Sequence, residues 1–318
     1  MKKILFILLF ILVLLKTIIL VNQERIMHPE KRPLQAYHYE WLNHPLEHGV
    51  KIEKYISEKK TPYLIVRQEM SKGLSKRQKL LTKQLGEYKV KKDAGVLVLL
   101  HGKNGRKEDL LPVAERYVAL GFTCLLLDLP HHGESERKHL YYTNKVYEKF
   151  YVDEVLEDFS KHISIEDKAL YMWGMSLGGA FAISNVLNSK HTFKGMVLVS
   201  TFDRFDRVLK RKSQAIFGDV FGTLLYKGLE KSLTLFYDFN PSLVNPAKLA
   251  KELKLPLYMI HGKKDELIAY TQGEKLFNSF ASTQKKLYLD EEGDHHNILV
   301  TKHKFYKESG LFLLGARE

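Results

Sequence analysis

The chain has 318 residues, 45% of them hydrophobic and 27% charged, which is enough apolar material to bury a full core and excludes a disordered chain. Lys and Arg outnumber Asp and Glu by 50 to 37, a formal +13 that suits an anionic surface such as phospholipid. The lysines are dispersed, however, and no nucleic-acid-binding motif accompanies them, so the charge reads as a merely solvated surface or as proximity to an anionic membrane, and no nucleic-acid partner is expected. A single cysteine, Cys124, excludes an internal disulfide and, set in an apolar run, reads as a small core residue.

Lys2 and Lys3 precede an apolar run from Ile4 to Val21, broken only by Lys16 and Thr17. At about 1.5 Å rise per residue the run is long enough to cross a hydrocarbon core, and Lys16 lies close enough to its end to snorkel its ammonium to the interface. A cleavable signal peptide competes with this reading. No pair of small residues spaced like Ala-x-Ala follows in Asn22-Gln23-Glu24-Arg25-Ile26-Met27, so residues 1–22 read as an uncleaved signal anchor. With the positive flank inside, residues 23–318 are expected outside the cytoplasm.

Further along, Tyr37 to Tyr88 mixes short apolar segments with many charges and predicts antiparallel edge strands with polar connections. Strands are predicted at Val96–Leu100, Phe122–Leu127, Ala169–Trp173, Gly195–Ser200, Leu257–Ile260 and Lys286–Leu289, with helical spacing between several of them, as at Leu110–Leu120 and Ala180–Leu187. Near-continuous apolar strands alternating with helices imply an α/β domain, its mostly parallel sheet covered on both faces and its chemistry at the carboxyl ends of the strands. The stretch from about residue 202 to 256 is a long insertion with apolar clusters, read as a helical lid over the site or as helices packed on the body.

Gly174-Met175-Ser176-Leu177-Gly178-Gly179 sits between a predicted strand and a predicted helix. A sharp strand-to-helix turn needs glycines on either side so that strands and helix can approach, and it lifts the serine hydroxyl clear of the sheet. The motif alone is weak; its placement makes it informative.

From about Gly95 to Leu299 the sequence resembles the α/β-hydrolase superfamily, nearest to its serine-aminopeptidase-like and monoacylglycerol-lipase-like groups. His101-Gly102-Lys103-Asn104-Gly105 resembles the loop after the family's third strand, and Asp128-Leu129-Pro130-His131-His132-Gly133-Glu134-Ser135 the segment after the fourth, with His132 in place of a common small residue. His261-Gly262-Lys263-Lys264-Asp265 is similar to the loop carrying a triad acid, and Gly293-Asp294-His295-His296-Asn297 to the loop carrying its histidine.

The resemblance implies Ser176 as nucleophile, Asp265 as acid and His296 as base, with His295 the competitor, in the chain order this fold uses. It also implies an oxyanion hole of two backbone N–H groups, Leu177 and Lys103. The Lys103 side chain reads as a solvated loop lysine that could also favour an anionic substrate. His101 and Asp128 read as loop braces, Trp173 and Met175 as packing residues. No metal or other cofactor is expected. The function implied is an anchored esterase, lipase or thioesterase on small or lipid-derived esters; a peptidase of the same fold and a non-catalytic binding protein are the alternatives.

Overall fold

The computed structural model describes residues 2–90, 92–137, 149–300 and 304–315. In chain order the elements are α1 (Lys2–Met27), α2 (Ala36–Asn43), β1 (Val50–Ile56), β2 (Pro62–Gln68), α3 (Lys76–Leu85), β3 (Gly95–Leu100), α4 (Leu111–Val118), β4 (Phe122–Leu127), α5 (Tyr151–Phe159), β5 (Leu170–Met175), α6 (Leu177–Asn188), β6 (Phe193–Val199), α7 (Phe205–Phe217), α8 (Asp219–Tyr237), α9 (Pro246–Ala250), β7 (Leu257–Gly262), α10 (Tyr270–Ser279), β8 (Lys285–Asp290) and α11 (Phe305–Leu313). The six strands predicted from Val96 onward are all present. The charged stretch before them holds the antiparallel pair β1–β2, and also α2 and α3, which its weak periodicity did not reveal.

The strands lie in the order β1-β2-β4-β3-β5-β6-β7-β8, parallel from β4 to β8, with β2 antiparallel to β4 at one side. Side chains alternate across the sheet, as the period of two requires. Val96, Val98 and Leu100 join the core under α5, α6 and the α7–α8 pair, whereas Leu97 and Leu99 join the one under α3, α4 and α11. Both faces are therefore dry, which is why these strands read as unbroken apolar runs. Cys124 is fully buried on β4, and burial pushes its thiol pKa well up, as suits an inert core residue.

From β3 the chain passes outward to β4 and then returns to form β5 on the other flank of β3. The carboxyl ends of β3 and β5 thus flank the switch point, where an open α/β sheet leaves a crevice. The loops after β3 and β4 are locked together by Lys107, which is fully buried. Its ammonium donates to Asp128 Oδ2 (2.8 Å) and Glu134 Oε2 (2.7 Å) and lies 3.0 Å from Glu108 Oε1. Asp128 in turn accepts from the backbone N–H groups of Lys107 and Glu134.

Removing one partner from such a cluster strands the remaining charge away from water. Lys107→Ala is expected to destabilise the fold by about 3–5 kcal/mol, read as a lower urea midpoint at unchanged m-value.

Candidate active site

β5 passes into α6 through a single residue, Ser176. Ser176 sits there at φ 54°, ψ −118°, a region that side chains other than glycine rarely adopt. Its N–H donates to the Val199 carbonyl at 2.9 Å, so the strained residue is tied to the neighbouring strand. The geometry is possible because α6 enters almost in contact with β3: a Cβ at Gly178 would strike the carbonyls of Leu100 and His101, and one at Gly179 the Thr201 side chain. Ser176 is buried, and the loop after β3 lies beside it, the Cβ direction of Gly102 ending 4.0 Å from Ser176 Oγ.

Two loops farther along the sheet are brought together in the same way. A Cβ at Gly262 would collide with the Gly293 carbonyl, and the loops are zipped by Lys263 N–H to the Asp290 carbonyl (2.8 Å) and Lys264 N–H to that of Gly293 (3.0 Å). This seats Asp265, at the end of one loop, against a histidine of the other. Asp265 Oδ1 accepts from the N–H groups of Leu267 (3.0 Å) and Ile268 (2.7 Å), while Oδ2 accepts from Nδ1 of His295 at 2.7 Å. Burial by itself would raise the Asp265 pKa; hydrogen bonds from His261 and His295 and from the Ile268 N–H outweigh it and hold the carboxyl far below its usual range.

The expectation that His296 serves Asp265 is therefore corrected: His295 is the partner, and His296 lies exposed beside it, its ring centroid 5.7 Å away and nearly perpendicular. The cause is an Asx turn. Asp294 Oδ1 accepts from the N–H groups of His296 (2.7 Å) and Asn297 (2.8 Å), while Asn297 Oδ1 accepts from Asp294 N–H (2.8 Å). The turn curls the chain after His295, leaving His295 buried against Asp265 and His296 exposed at the edge of the same cavity. Asp294 and Asn297, three residues apart, were the available sequence signal.

Ser176, His295 and the His101–Gly105 loop open on one cavity of about 950 Å³. Its other walls are largely apolar: Phe202, Val208, Leu209, Leu225 and Leu229 from α7, α8 and the segment before them, and Ile18, Ile19 and Ile26 from α1. That α1 lines the cavity was not legible in the sequence. Leu177 begins α6, so its N–H has no carbonyl partner within the helix and is placed at the Ser176 turn. His101 acts as a brace, accepting from Leu129 N–H at Nε2 (3.0 Å) and donating from Nδ1 to the Gly102 carbonyl (2.7 Å). His132 Nδ1 donates to the Pro130 carbonyl at 2.8 Å, and Trp173 is fully buried. Lys103 is not an ordinary solvated lysine. Burial, and the charge of Lys212 on the same cavity, pull its pKa down to about 8.

Comparisons with known proteins agree with this architecture. The family described as Hydrolase_4, serine aminopeptidase S33, matches residues 91–237. An uncharacterized protein YfhR of Escherichia coli O157:H7 is 27% identical over 155 residues, so the match spans about half of each chain, 48% of this one and 48% of that. Among solved structures, the esterase Pf2001 of Pyrococcus furiosus superposes with a TM-score of 0.62 at 17% identity, covering 91% of this chain and 100% of that one. An acylaminoacyl peptidase of Pyrococcus horikoshii gives 0.58 at 16% identity, over 86% of this chain and 42% of that one. A membrane phospholipase A gives 0.52 at 13% identity, covering 99% of both.

His295→Ala is expected to lower kcat on a short p-nitrophenyl ester by about 10⁴-fold or more, whereas His296→Ala changes it little; the opposite ranking would move the role to His296. Lys103 presents an ammonium below about 8 and an amine above it. The KM of a carboxylate-bearing ester should therefore climb as pH rises through about 8 while that of a neutral ester does not, and Lys103→Met should abolish the difference.

Proposed function

We propose that the chain is a membrane-anchored serine hydrolase of the α/β-hydrolase superfamily and that it cleaves monoacyl carboxylic esters through an acyl-serine intermediate on Ser176. The observation that carries this reading is the Asp265–His295 pair opening on the same largely apolar cavity as the strained serine.

A carboxylate only accepts hydrogen bonds, so His295 donates from Nδ1 to Asp265 and keeps Nε2 basic. Nε2 takes the Ser176 proton as Oγ attacks the ester carbonyl, and Asp265 stabilises the resulting imidazolium. The negative charge on the tetrahedral oxygen falls to the N–H groups of Leu177 and Lys103. Collapse expels the alcohol, which takes the proton from His295. Water, deprotonated by the same nitrogen, then releases the acid and restores Ser176.

Cavity size and lining support a substrate with a single long acyl chain, since a pocket of this volume matches those that bury ligands of drug-like size. The α7–α8 pair roofs the cavity as a lid would. It is not a removable one, because Phe205, Leu229 and Leu233 belong to the main core. As for the anchor, α1 is long and apolar enough to cross a membrane, and its last turn enters that core through Ile26 and Met27, which favours a retained helix over a cleaved signal. The likeness to a membrane phospholipase A along 99% of this chain is consistent with a lipid-derived substrate and carries the fold alone.

A fluorophosphonate probe is expected to label Ser176 in the intact chain and to label nothing in Ser176→Ala; labelling elsewhere, or efficient cleavage of aminoacyl amides, would overturn the reading. Chain-length preference offers a second measurement. Leu209→Trp fills the apolar wall and should shift kcat/KM toward butyrate and away from longer esters by about tenfold, while butyrate turnover reports that the fold survives.

A further inference from the structure

The packing of α1 on α8 has a direction. Ile19 lies at Gly228, where a Cβ would fall 2.7 Å from Ile19 Cδ1, and one turn further along each helix Gln23 accepts from Ser232. Beyond them Glu24 accepts from Tyr237. Residue numbers rise together, so the two helices run parallel, side by side. Followed back from Gly228, α8 therefore travels along α1 toward the apolar segment that begins at Ile4.

The beginning of α8 carries Val220, Phe221 and Leu224, exposed at 75%, 58% and 59%. They stand four to eight residues before Gly228, which at 1.5 Å per residue carries them about 6–12 Å along α1 toward its amino-terminal apolar stretch. There α1 exposes Phe10, Ile11, Val13 and Leu14 to the surroundings. Ile216 and Phe217, at the end of α7, are exposed as well and also line the cavity, so they form its rim. Asp219 is the charged residue of this tip, placed at the amino end of α8 where the helix dipole favours a carboxylate. α1 is about 39 Å long, longer than the ~30 Å hydrocarbon core, so in a span that starts near Ile4 the cavity-lining Ile18 and Ile19 fall within its last turns and Ile26 lies beyond it.

Resting on the hydrolase reading above, we propose that the α7–α8 tip dips into the bilayer that α1 spans, and that the cavity draws its monoacyl ester laterally from that bilayer, between α1 and the rim at Ile216 and Phe217. The anchor is then a wall of the substrate site as well as a tether. The partner surface is a lipid bilayer; its apolar interior matches the exposed side chains, and α1 supplies continuity with them.

The full-length chain reconstituted in phosphatidylcholine vesicles containing 1-monooleoylglycerol tests this, with p-nitrophenyl butyrate in water as the soluble substrate. Val220→Glu, Phe221→Glu and Leu224→Glu combined should lower vesicle turnover by about tenfold or more and leave butyrate turnover within about twofold. Leu235→Glu with Phe236→Glu, equally exposed on the far end of α8, should spare both. In a separate protein, Phe221→Trp should be quenched by brominated phosphatidylcholine. Vesicle turnover that survives the triple substitution, equal loss on both substrates, equal loss in the far-end control, or an unquenched Trp each overturns the proposal. Absence of butyrate turnover and serine labelling in the unsubstituted chain would instead mark failure of the hydrolase reading itself.

Discussion

Everything in the site depends on how closely the backbone of α6 is pressed against the end of β3. Gly178 lies against two carbonyls of the neighbouring strand and its loop, and Gly179 against Thr201, so the chain must leave β5 through a turn that forces Ser176 to a positive φ. Backbone strain of this kind costs on the order of 1–3 kcal/mol and persists only where the surroundings over-determine it. Here they do so through the fully buried β3 on one side of β5, the buried Gly195–Val199 stretch of β6 on the other, and the hydrogen bond from Ser176 N–H to β6. The same compression brings the Gly102–Lys103 loop to the serine, so one steric condition places both Ser176 and the loop proposed to donate to the oxyanion.

A second compression, Gly262 against Gly293, repeats the device at β7 and β8. Its outcome is chemical: two loops distant in sequence are brought close enough for Asp265 to reach His295, and two backbone N–H groups saturate the other carboxylate oxygen. A carboxylate with this many donors stays ionised despite burial, which is what an imidazole partner requires in order to become a cation.

What the sequence disclosed divides along physical lines. The strands from Val96 onward and the elbow at Ser176 were legible because two-sided burial and steric crowding leave direct traces, apolar runs and paired glycines. The adjacent histidines were not resolved, since spacing counts residues whereas the Asp294–Asn297 turn decides which ring meets Asp265. Lys107 escaped notice because a lysine in a charged loop has no pattern that marks it as fully buried. Helices α2 and α3 lie in a stretch where polar residues such as His38 and Gln78 are buried through hydrogen bonds, so hydrophobic periodicity underestimates them. The role of α1 in walling the cavity belongs to tertiary packing alone, and no local window contains both Ile19 and Gly228.

That last pairing also has a temporal side. Gln23 and its partner Ser232 stand 209 positions apart. At synthesis rates of about 5–20 residues per second, α1 is made some 10–40 s before the helix it packs against. The central strands can pair in that interval, because β3, β4 and β5 all precede α8. The cavity is thus assembled late: its floor of central strands can be laid before α1 meets α8, and its wall at Ile268 and His295 is supplied by chain made after both helices.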